Sequence, residues 1–314
     1  SATTTLKYFA KDTAGNSETV KTQTYTITVA STPQFVAKWG SSGTGNGQFT
    51  TPRGTELDLS GNVIVADSGN NRIQKFTNTG TFMTKWGSSG STDGKFNNPT
   101  GIAVDASGNI YIADSGNNRI QKFTSAGVFV SKFGSSGSTD GKFNNPTGIA
   151  IDSSGNIYVV DTNNNRIQKF TSAGVFVSKW GSSGSTDGKF SSPTGLGLDS
   201  SGNVYVADTG NNRIQKFTSA GVFVSKWGSS GSTDGKFSSP TGLGIDSSNN
   251  VFVDDRANNR VQKFTSAGVF VSKFGSLGSG NTQFNLPNGI TSVDSSGNIY
   301  IGDTNNNRVS KWKP

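Results

Sequence analysis

The chain has 314 residues, a hydrophobic share of 31% and a formal net charge of +8. It contains neither cysteine nor histidine, which excludes disulfides and thiolate chemistry and removes the commonest general base and metal ligand. Abundant Gly, Ser, Thr and Asn favour short strands joined by tight turns over helices. No apolar run is long enough to span a bilayer, so we expect no membrane insertion of this segment.

The first predicted element is a β-hairpin within residues 1–31. Its strands lie in Leu6–Asn16 and Lys21–Val29, and Asp12-Thr-Ala-Gly-Asn16 forms a turn. This hairpin resembles the last two strands of immunoglobulin-like domains of the chitobiase C-terminal type, which occur in bacterial and archaeal surface proteins. Such a domain needs about seven strands, so the hairpin is either the stub of a cut domain or is completed by another chain. The second alternative would allow self-association through residues 1–31.

Residues 32–314 repeat one phrase six times, for example Asp114-Ser-Gly-Asn-Asn-Arg119. Its arginines follow one another at steps of 47 residues, with a last step of 48. They are Arg72, Arg119, Arg166, Arg213, Arg260 and Arg308. A repeat near this length is typical of a propeller blade, and a single blade cannot bury its own faces. The blades must therefore stack on one another.

Each repeat predicts four short strands rich in β-branched and aromatic residues. In the second repeat they are Pro99–Asp105, Asn109–Asp114, Arg119–Phe123 and Val128–Phe133. A repeated four-stranded meander is a propeller blade, whose innermost strand faces a central channel and whose outermost strand borders widening gaps between blades. Small residues in the inner strand and aromatic residues in the outer strand fit this taper. The small residues are Ala103, Ala150, Gly197 and Gly244, and the aromatic ones are Trp86, Phe133, Trp180, Trp227 and Phe274.

The two ends of the repeat array predict how the ring closes. The last repeat stops at Pro314 without an outer strand, and residues 35–39 match the outer strands of the other repeats. Pairing of this early segment with the last repeat would remove two exposed sheet edges. We therefore predict an all-β fold, a closed six-bladed propeller of four-stranded blades preceded by a short hairpin. The extra residue between Pro287 and Asp294 predicts a bulge in blade six.

These phrases resemble NHL repeats, in Pro-Thr-Gly-Ile-Ala-Val-Asp105, Gly-Asn-Ile-Tyr-Ile-Ala-Asp114 and Asn-Asn-Arg-Ile-Gln-Lys-Phe123. The resemblance covers about residues 34–313 and implies a six-bladed propeller that binds proteins, RNA or small ligands. Some members of the family are amidating lyases that hold zinc through histidines, an activity that a chain without histidine cannot have. Members that bind RNA use a strongly basic face, whereas the charge surplus here is spread evenly over the repeats. Nucleic acid is therefore not an expected partner.

An aspartate precedes each repeated arginine by five residues, across a turn of four residues. The two side chains can pair, or bond to the loop backbone, and sixfold repetition favours a structural role over ligand contact. The pairs are Asp67 with Arg72, Asp114 with Arg119, Asp161 with Arg166, Asp208 with Arg213, Asp255 with Arg260, and Asp303 with Arg308.

Charges that break the repeat are the candidate ligand-binding residues. Glu56 stands where the other blades have alanine or glycine, and Arg53 replaces a threonine. In blade five, Asp254 and Arg256 are new charges on either side of the repeated Asp255. These four charges indicate either a polar site near the channel mouth or neutral sequence drift in repeats that tolerate substitution.

The Gly-rich loops from each outer strand to the next inner strand are rich in hydroxyls and amides, and each of four carries a lysine. A face built from them suits a glycan or a peptide, and it equally suits plain hydration. The lysines are Lys95, Lys142, Lys189 and Lys236.

Together these features favour a non-enzymatic extracellular or cell-surface module that binds a protein or a glycan. The alternative is a structural subunit of a surface filament or sheath, joined through the hairpin. A hydrolase or lyase with a channel site at Glu56 and Asp254 is a third hypothesis, and RNA binding is a fourth. No catalytic residue, metal or cofactor is expected under the first two.

Overall fold

A computed structural model of the protein describes residues 2–27, 33–289 and 292–313. Contacts divide the chain into two compact units, residues 1–32 and 33–314. The first unit is a two-stranded antiparallel sheet of β1 (Ala2–Tyr8) and β2 (Lys21–Ile27). Val29, the predicted end of the second strand, lies outside the described residues. Among the described residues, no helix has the length and apolar character needed to cross a membrane.

The second unit begins with β3 (Gln34–Trp39) and continues as six four-stranded sheets. Blade one is β4 (Pro52–Leu57), β5 (Val63–Asp67), β6 (Arg72–Phe76) and β7 (Phe82–Trp86). Blade two is β8 (Pro99–Val104), β9 (Ile110–Asp114), β10 (Arg119–Phe123) and β11 (Phe129–Phe133). Blade three is β12 (Pro146–Ile151), β13 (Ile157–Asp161), β14 (Arg166–Phe170) and β15 (Phe176–Trp180). Blade four is β16 (Leu196–Leu198), β17 (Val204–Asp208), β18 (Arg213–Phe217) and β19 (Phe223–Trp227). Blade five is β20 (Pro240–Ile245), β21 (Val251–Asp255), β22 (Arg260–Phe264) and β23 (Phe270–Phe274).

Blade six contains β24 (Ser292–Val293), β25 (Ile299–Asp303) and β26 (Arg308–Lys313), and β3 supplies its outer strand. The predicted fold and ring closure are thus confirmed, with the closing strand one residue longer than expected. The bulge predicted in blade six falls on a stretch that includes residues 290 and 291, which lie outside the described residues.

The closing strand is held by both backbone pairing and aromatic packing. Val309 pairs with Trp39, and Trp312 pairs with Phe35. The rings of Phe35 and Trp312 meet edge to face, with centroids 5.8 Å apart, and Trp312 is buried. Closure therefore completes an apolar core as well as a sheet.

Apolar side chains fill the space between each pair of neighbouring blades, as the taper predicted. The outer-strand aromatics pack beneath a turn of the next blade. Trp86 shows why that turn needs glycine: a Cβ on Gly127 would lie 2.7 Å from the indole ring, and Gly127 has φ of +81°. The turn thus requires both a left-handed backbone and an absent side chain.

A ring of six glycines marks the closest approach between neighbouring inner strands. A Cβ on Gly148 would lie 2.5 Å from the carbonyl oxygen of Thr194 in the next blade. The other five glycines face the carbonyl oxygen of the following blade in the same way; they are Gly54, Gly101, Gly195, Gly242 and Gly289. Because the obstacle is backbone, it cannot rotate away.

We expect Gly148→Ala to lower the free energy of unfolding by about 1–3 kcal/mol, the usual cost of overpacking. The measurement is urea denaturation followed by tryptophan fluorescence. Gly197→Ala is the matched control, since it also lies on an inner strand and its added Cβ would meet side chains rather than backbone, the end of Ile245 at 3.3 Å and Leu243 Cβ at 3.6 Å. Alanine stands at that position in blades two and three, so this change should have a small effect. Equal destabilisation by both variants would contradict the importance of the glycine ring.

Candidate functional site

The repeated aspartate is the centre of a buried polar network, seen here in blade three. The side chain of Asp161 is fully buried. Its Oδ1 accepts hydrogen bonds from Asn144 N–H (2.7 Å) and Asn164 Nδ2 (3.0 Å). Its Oδ2 accepts from Arg166 Nε at 2.7 Å and from Gln168 Nε2 at 3.1 Å. The lone pairs of the carboxylate are therefore satisfied by partners within the blade, as a buried charge requires.

The arginine of the same network fastens the Gly-rich loop to the blade. Arg166 donates through Nη1 to Ser138 O at 2.7 Å, and through Nη2 to the carbonyls of Thr139 and Lys142, both at 2.9 Å. In all six blades the arginine Nε lies 2.7 Å from the aspartate Oδ2: Arg72 with Asp67, Arg119 with Asp114, Arg166 with Asp161, Arg213 with Asp208, Arg260 with Asp255, and Arg308 with Asp303. These twelve residues are occupied with holding loops in place.

The asparagine before each arginine links neighbouring blades. Asn118 ends a short 3-10 turn in the left-handed conformation, with φ of 54°, which asparagine tolerates better than most residues. Its Oδ1 accepts the N–H of Asn145, in the loop that leads into blade three, at 2.7 Å. The Asp-x-x-Asn-Asn-Arg phrase is thus explained by architecture.

The four predicted loop lysines are exposed and line neither of the two cavities described below. Lys95, Lys142, Lys189 and Lys236 stand at equivalent positions, and blades one and six have glutamine there. Their backbone carbonyls accept bonds from the loop-fastening arginines, as Lys142 O does from Arg166. Their ammonium groups remain candidates for a ligand on the loop face, a prediction that the structure leaves open.

A cavity of about 270 Å³ lies at the N-terminal ends of the inner strands. One position of the repeat lines it in every blade, through Arg53, Thr100, Thr147, Thr194, Thr241 and Asn288. A second position, at the start of the 3-10 turns, adds Thr162, Thr209 and Arg256. The polar wall therefore consists of hydroxyl and amide side chains, with arginine at two positions.

Arg53 and Arg256 carry all the charge among the described lining residues of this cavity. Neither guanidinium has a hydrogen-bond or ion-pair partner among the described residues, and the Nε atom of each is buried. Burial, together with the charge of Arg256, lowers the pKa of the Arg53 guanidinium. Two cations that face one cavity without an anion attract a negatively charged ligand.

Asp254 lies behind the wall of this cavity. Its side chain is fully buried, and its Oδ2 accepts the N–H of Gly289 at 3.3 Å. Gly289 and Gly242, which is also close to this carboxylate, both line the cavity. Asp254 therefore positions the wall between blades five and six and does not itself line the cavity.

The arginine in blade five also interrupts a chain of hydroxyl bonds between blades. In blade two, Ser115 Oγ donates to the carbonyl of Pro146 in blade three at 2.6 Å. Arg256 replaces this hydroxyl in blade five, and the Oγ1 of Thr241 has no partner among the described residues.

The sequence analysis did not identify Thr241 and Asn288 as lining residues of this cavity. The sequence alone could have identified Asn288, because it stands at the same repeat position as Arg53.

Glu56 lies in a second cavity, of about 260 Å³, which begins two residues further along the inner strands than the glycine ring. Its Oε1 accepts the N–H of Leu57 at 2.8 Å. Burial raises the pKa of the Glu56 carboxyl to about 7, and the bond from Leu57 opposes this only in part. The structure therefore brings Arg53 and Arg256 together and separates Glu56 from them, while Asp255 belongs to the ion pair with Arg260.

In the described ranges, no group of three or more acidic, histidine or cysteine side chains is arranged to hold a metal ion.

Comparison with known protein families finds the NHL repeat in each blade. The matched residues are 49–76, 96–123, 143–170, 190–217, 237–264 and 284–312, which together make up more than half of the chain. A comparison with curated protein sequences finds no significant match.

Several solved structures share the fold at low sequence identity. A streptogramin B lyase has 16% identity and a TM-score of 0.61, over 88% of this chain and 96% of its own. A gluconolactonase from Xanthomonas campestris has 14% identity and a TM-score of 0.64, over 85% and 87%. A catalytically inactive histidine-to-alanine variant of virginiamycin B lyase from Staphylococcus aureus, with quinupristin, has 18% identity and a TM-score of 0.58, over 84% of each chain.

These similarities contradict the prediction of a non-enzymatic surface module and that of a filament subunit. The prediction of a surface module rested on the propeller fold, the immunoglobulin-like hairpin and the absence of cysteine and histidine. Propellers of this shape include a lyase and a lactonase, and a fold does not determine function. The absence of histidine excludes histidine-dependent mechanisms and leaves electrostatic catalysis open.

Proposed function

The chain belongs to the NHL-repeat family, and we propose that it is a propeller enzyme acting on a small anionic substrate at one mouth of its central channel. The observation that carries this proposal is the pair of arginines, Arg53 and Arg256, that face one cavity without an acidic partner among the described residues. Both arginines replace hydroxyl or amide residues of the other blades. The fold therefore does not need them.

The reaction class that suits this cavity is the cleavage of a carboxylic ester or a lactone. Negative charge develops on oxygen as such a bond breaks, and donors fixed in a cavity stabilise it strongly, since they need little reorganisation. Arg53 and Arg256 would hold the anionic group of the substrate and stabilise the developing charge. The threonine hydroxyls of the wall would orient the remainder of the molecule or a water. The names of the similar structures, a lyase and a gluconolactonase, are compatible with this class.

The test is turnover of matched lactones, one bearing a carboxylate and the other bearing its uncharged methyl ester. We expect the charged lactone to be cleaved preferentially. Arg53→Thr and Arg256→Thr should each lower kcat/KM by about 10²-fold, the effect of removing one donor to a developing oxyanion. Threonine stands at both positions in other blades, so both variants should fold.

Lys142→Gln is the control, because it removes an exposed loop charge and introduces the residue of blades one and six. It should leave kcat/KM unchanged. Binding of anions without cleavage of any ester or lactone would contradict the enzymatic part of the proposal. A loss of activity in Lys142→Gln as large as that in Arg53→Thr would show that the loop face, not the channel, is the site.

An extracellular location and an immunoglobulin-like origin of the hairpin belong to the same proposal. The immunoglobulin-like origin rests on the resemblance of the Asp12 turn, in which Oδ1 accepts the N–H groups of Ala14 and Asn16, both at 2.9 Å, and the extracellular location rests on that origin. Treatment of intact producing cells with protease tests the location, and we expect it to release the propeller. A protein or glycan partner and self-association through residues 1–31 remain predictions.

A further inference from the structure

The second cavity differs from the first in chemistry. Its wall is aliphatic, with one residue from each blade: Leu57, Val104, Ile151, Leu198, Ile245 and Val293. Among its described lining residues, Glu56 is the one charged group. Blades two to five have alanine or glycine at the position of Glu56, so the fold does not require a carboxyl there.

A second change in blade one lies on the same cavity. Leu59, a lining residue, is 68% exposed, whereas the equivalent residues of the other blades are alanine or serine. An exposed leucine adds apolar surface to the rim, close to Glu56 in the chain. Two departures from the repeat, one acidic and one apolar, thus converge on one cavity.

The Glu56 carboxylate keeps free capacity for a ligand. Its Oε1 accepts one backbone N–H, from Leu57, and no other described residue bonds to the carboxyl. The carboxylates at nearby strand ends already have partners within their own blades. Asp58 pairs with Lys75 at 2.7 Å, and Asp105 pairs with Lys122 at 3.6 Å. The carboxyl of Asp294, in blade six, accepts N–H bonds within its own turn.

We propose that this cavity binds a small organic amine, with its ammonium group against Glu56 and its hydrocarbon body against the six aliphatic side chains. An ammonium ion supplies the donor that the carboxylate lacks, and an apolar body replaces water along the wall. The raised pKa of Glu56 is consistent with a carboxyl whose partner is not part of the protein.

The test uses three probes with the same body: cyclohexylamine, cyclohexanol and cyclohexanecarboxylate. Calorimetry at pH 8 should give an affinity for the amine at least tenfold higher than for the alcohol, and none measurable for the carboxylate. The affinity for the amine should fall as pH decreases through about 7, because Glu56 takes up a proton while the amine keeps its own. Glu56→Gln should abolish the preference for the amine, and Leu59→Ser should weaken the binding of all probes that bind.

Thermal unfolding of Glu56→Ala separates ligand binding from a structural role. The ordinary pKa of a glutamate carboxyl is 4.5, and burial raises the pKa of Glu56 in the folded protein to about 7. The unfolded chain therefore ionises first, and the folded state loses stability as the pH rises between these two values. The variant should therefore have a higher Tm than the native chain, by a wider margin at pH 8 than at pH 5. Arg53→Thr should leave amine binding unchanged, which keeps this test independent of the proposed enzymatic activity. Equal binding of amine and alcohol, or a lower Tm for Glu56→Ala at pH 8, would overturn the proposal.

Discussion

Asp161→Ala is expected to destabilise the propeller by about 3–5 kcal/mol, the cost of leaving one partner of a buried ion pair alone. The carboxylate has no exposure and receives hydrogen bonds from four residues, including Arg166 at 2.7 Å. Its removal leaves the guanidinium of Arg166 buried, and the loop that this guanidinium fastens loses its anchor. Urea denaturation measures the loss of stability. Hydrogen exchange should show increased exchange in residues 134–145 first.

Asp140→Ala is the matched control for that experiment. Asp140 forms an ion pair with Lys179, in which both side chains are close to half exposed, and its Oδ1 also lies 3.9 Å from Arg166 Nη1. Asp161→Ala and Asp140→Ala thus remove a buried and an exposed partner of the same guanidinium. Exposed pairs contribute about 0–1 kcal/mol, so the control should unfold nearly as the native chain does. Similar losses in Asp161→Ala and Asp140→Ala would show that burial does not control the strength of the repeated pair.

Removal of residues 1–39 is expected to have the largest effect on cooperativity. It deletes β3, leaves β26 as an unpaired edge, and takes Phe35 away from Trp312. An unpaired, partly apolar edge promotes association between chains. Light scattering should detect aggregates, and the unfolding transition should become broad and shift to lower temperature.

Removal of residues 1–32 provides the comparison, because the contacts place these residues in a separate unit. The propeller should then keep its Tm and remain dispersed. If both deletions behave alike, the closing strand contributes little and the ring is held by its other inter-blade contacts.

Most of the fold could be predicted from the sequence because the repeat carries the same information six times. The step of 47 residues and the match between residues 35–39 and the outer strands were enough to predict the blade number and the ring closure. The glycine ring was harder to predict. Gly148 looks like any glycine in the sequence, and its need appears only when Thr194 of the next blade is placed beside it.

The candidate site was predicted only in part. Arg53, Glu56 and Arg256 stand out because they break the repeat, but their grouping depends on geometry. Arg53 precedes the glycine ring and Glu56 follows it, so two side chains that line different cavities are separated by only two residues of sequence. The sequence hypothesis joined Glu56 with Asp254, whereas Asp254 is buried behind a different wall. The burial of Asp254 depends on packing against blade six, and the sequence of one repeat does not show how it packs against the next.

The position of the two arginines links occupancy of the channel to the mechanics of the ring. Arg256 belongs to blade five and Arg53 to blade one, so an anion held by both spans blade six, the blade assembled from the two ends of the repeat array. Such a ligand would connect blades five and one across blade six, where the two ends of the repeat array pair. At a concentration of about 100 times its Kd it would add roughly 2.7 kcal/mol of stability. A propeller pulled from its termini should then resist higher force when the channel is filled.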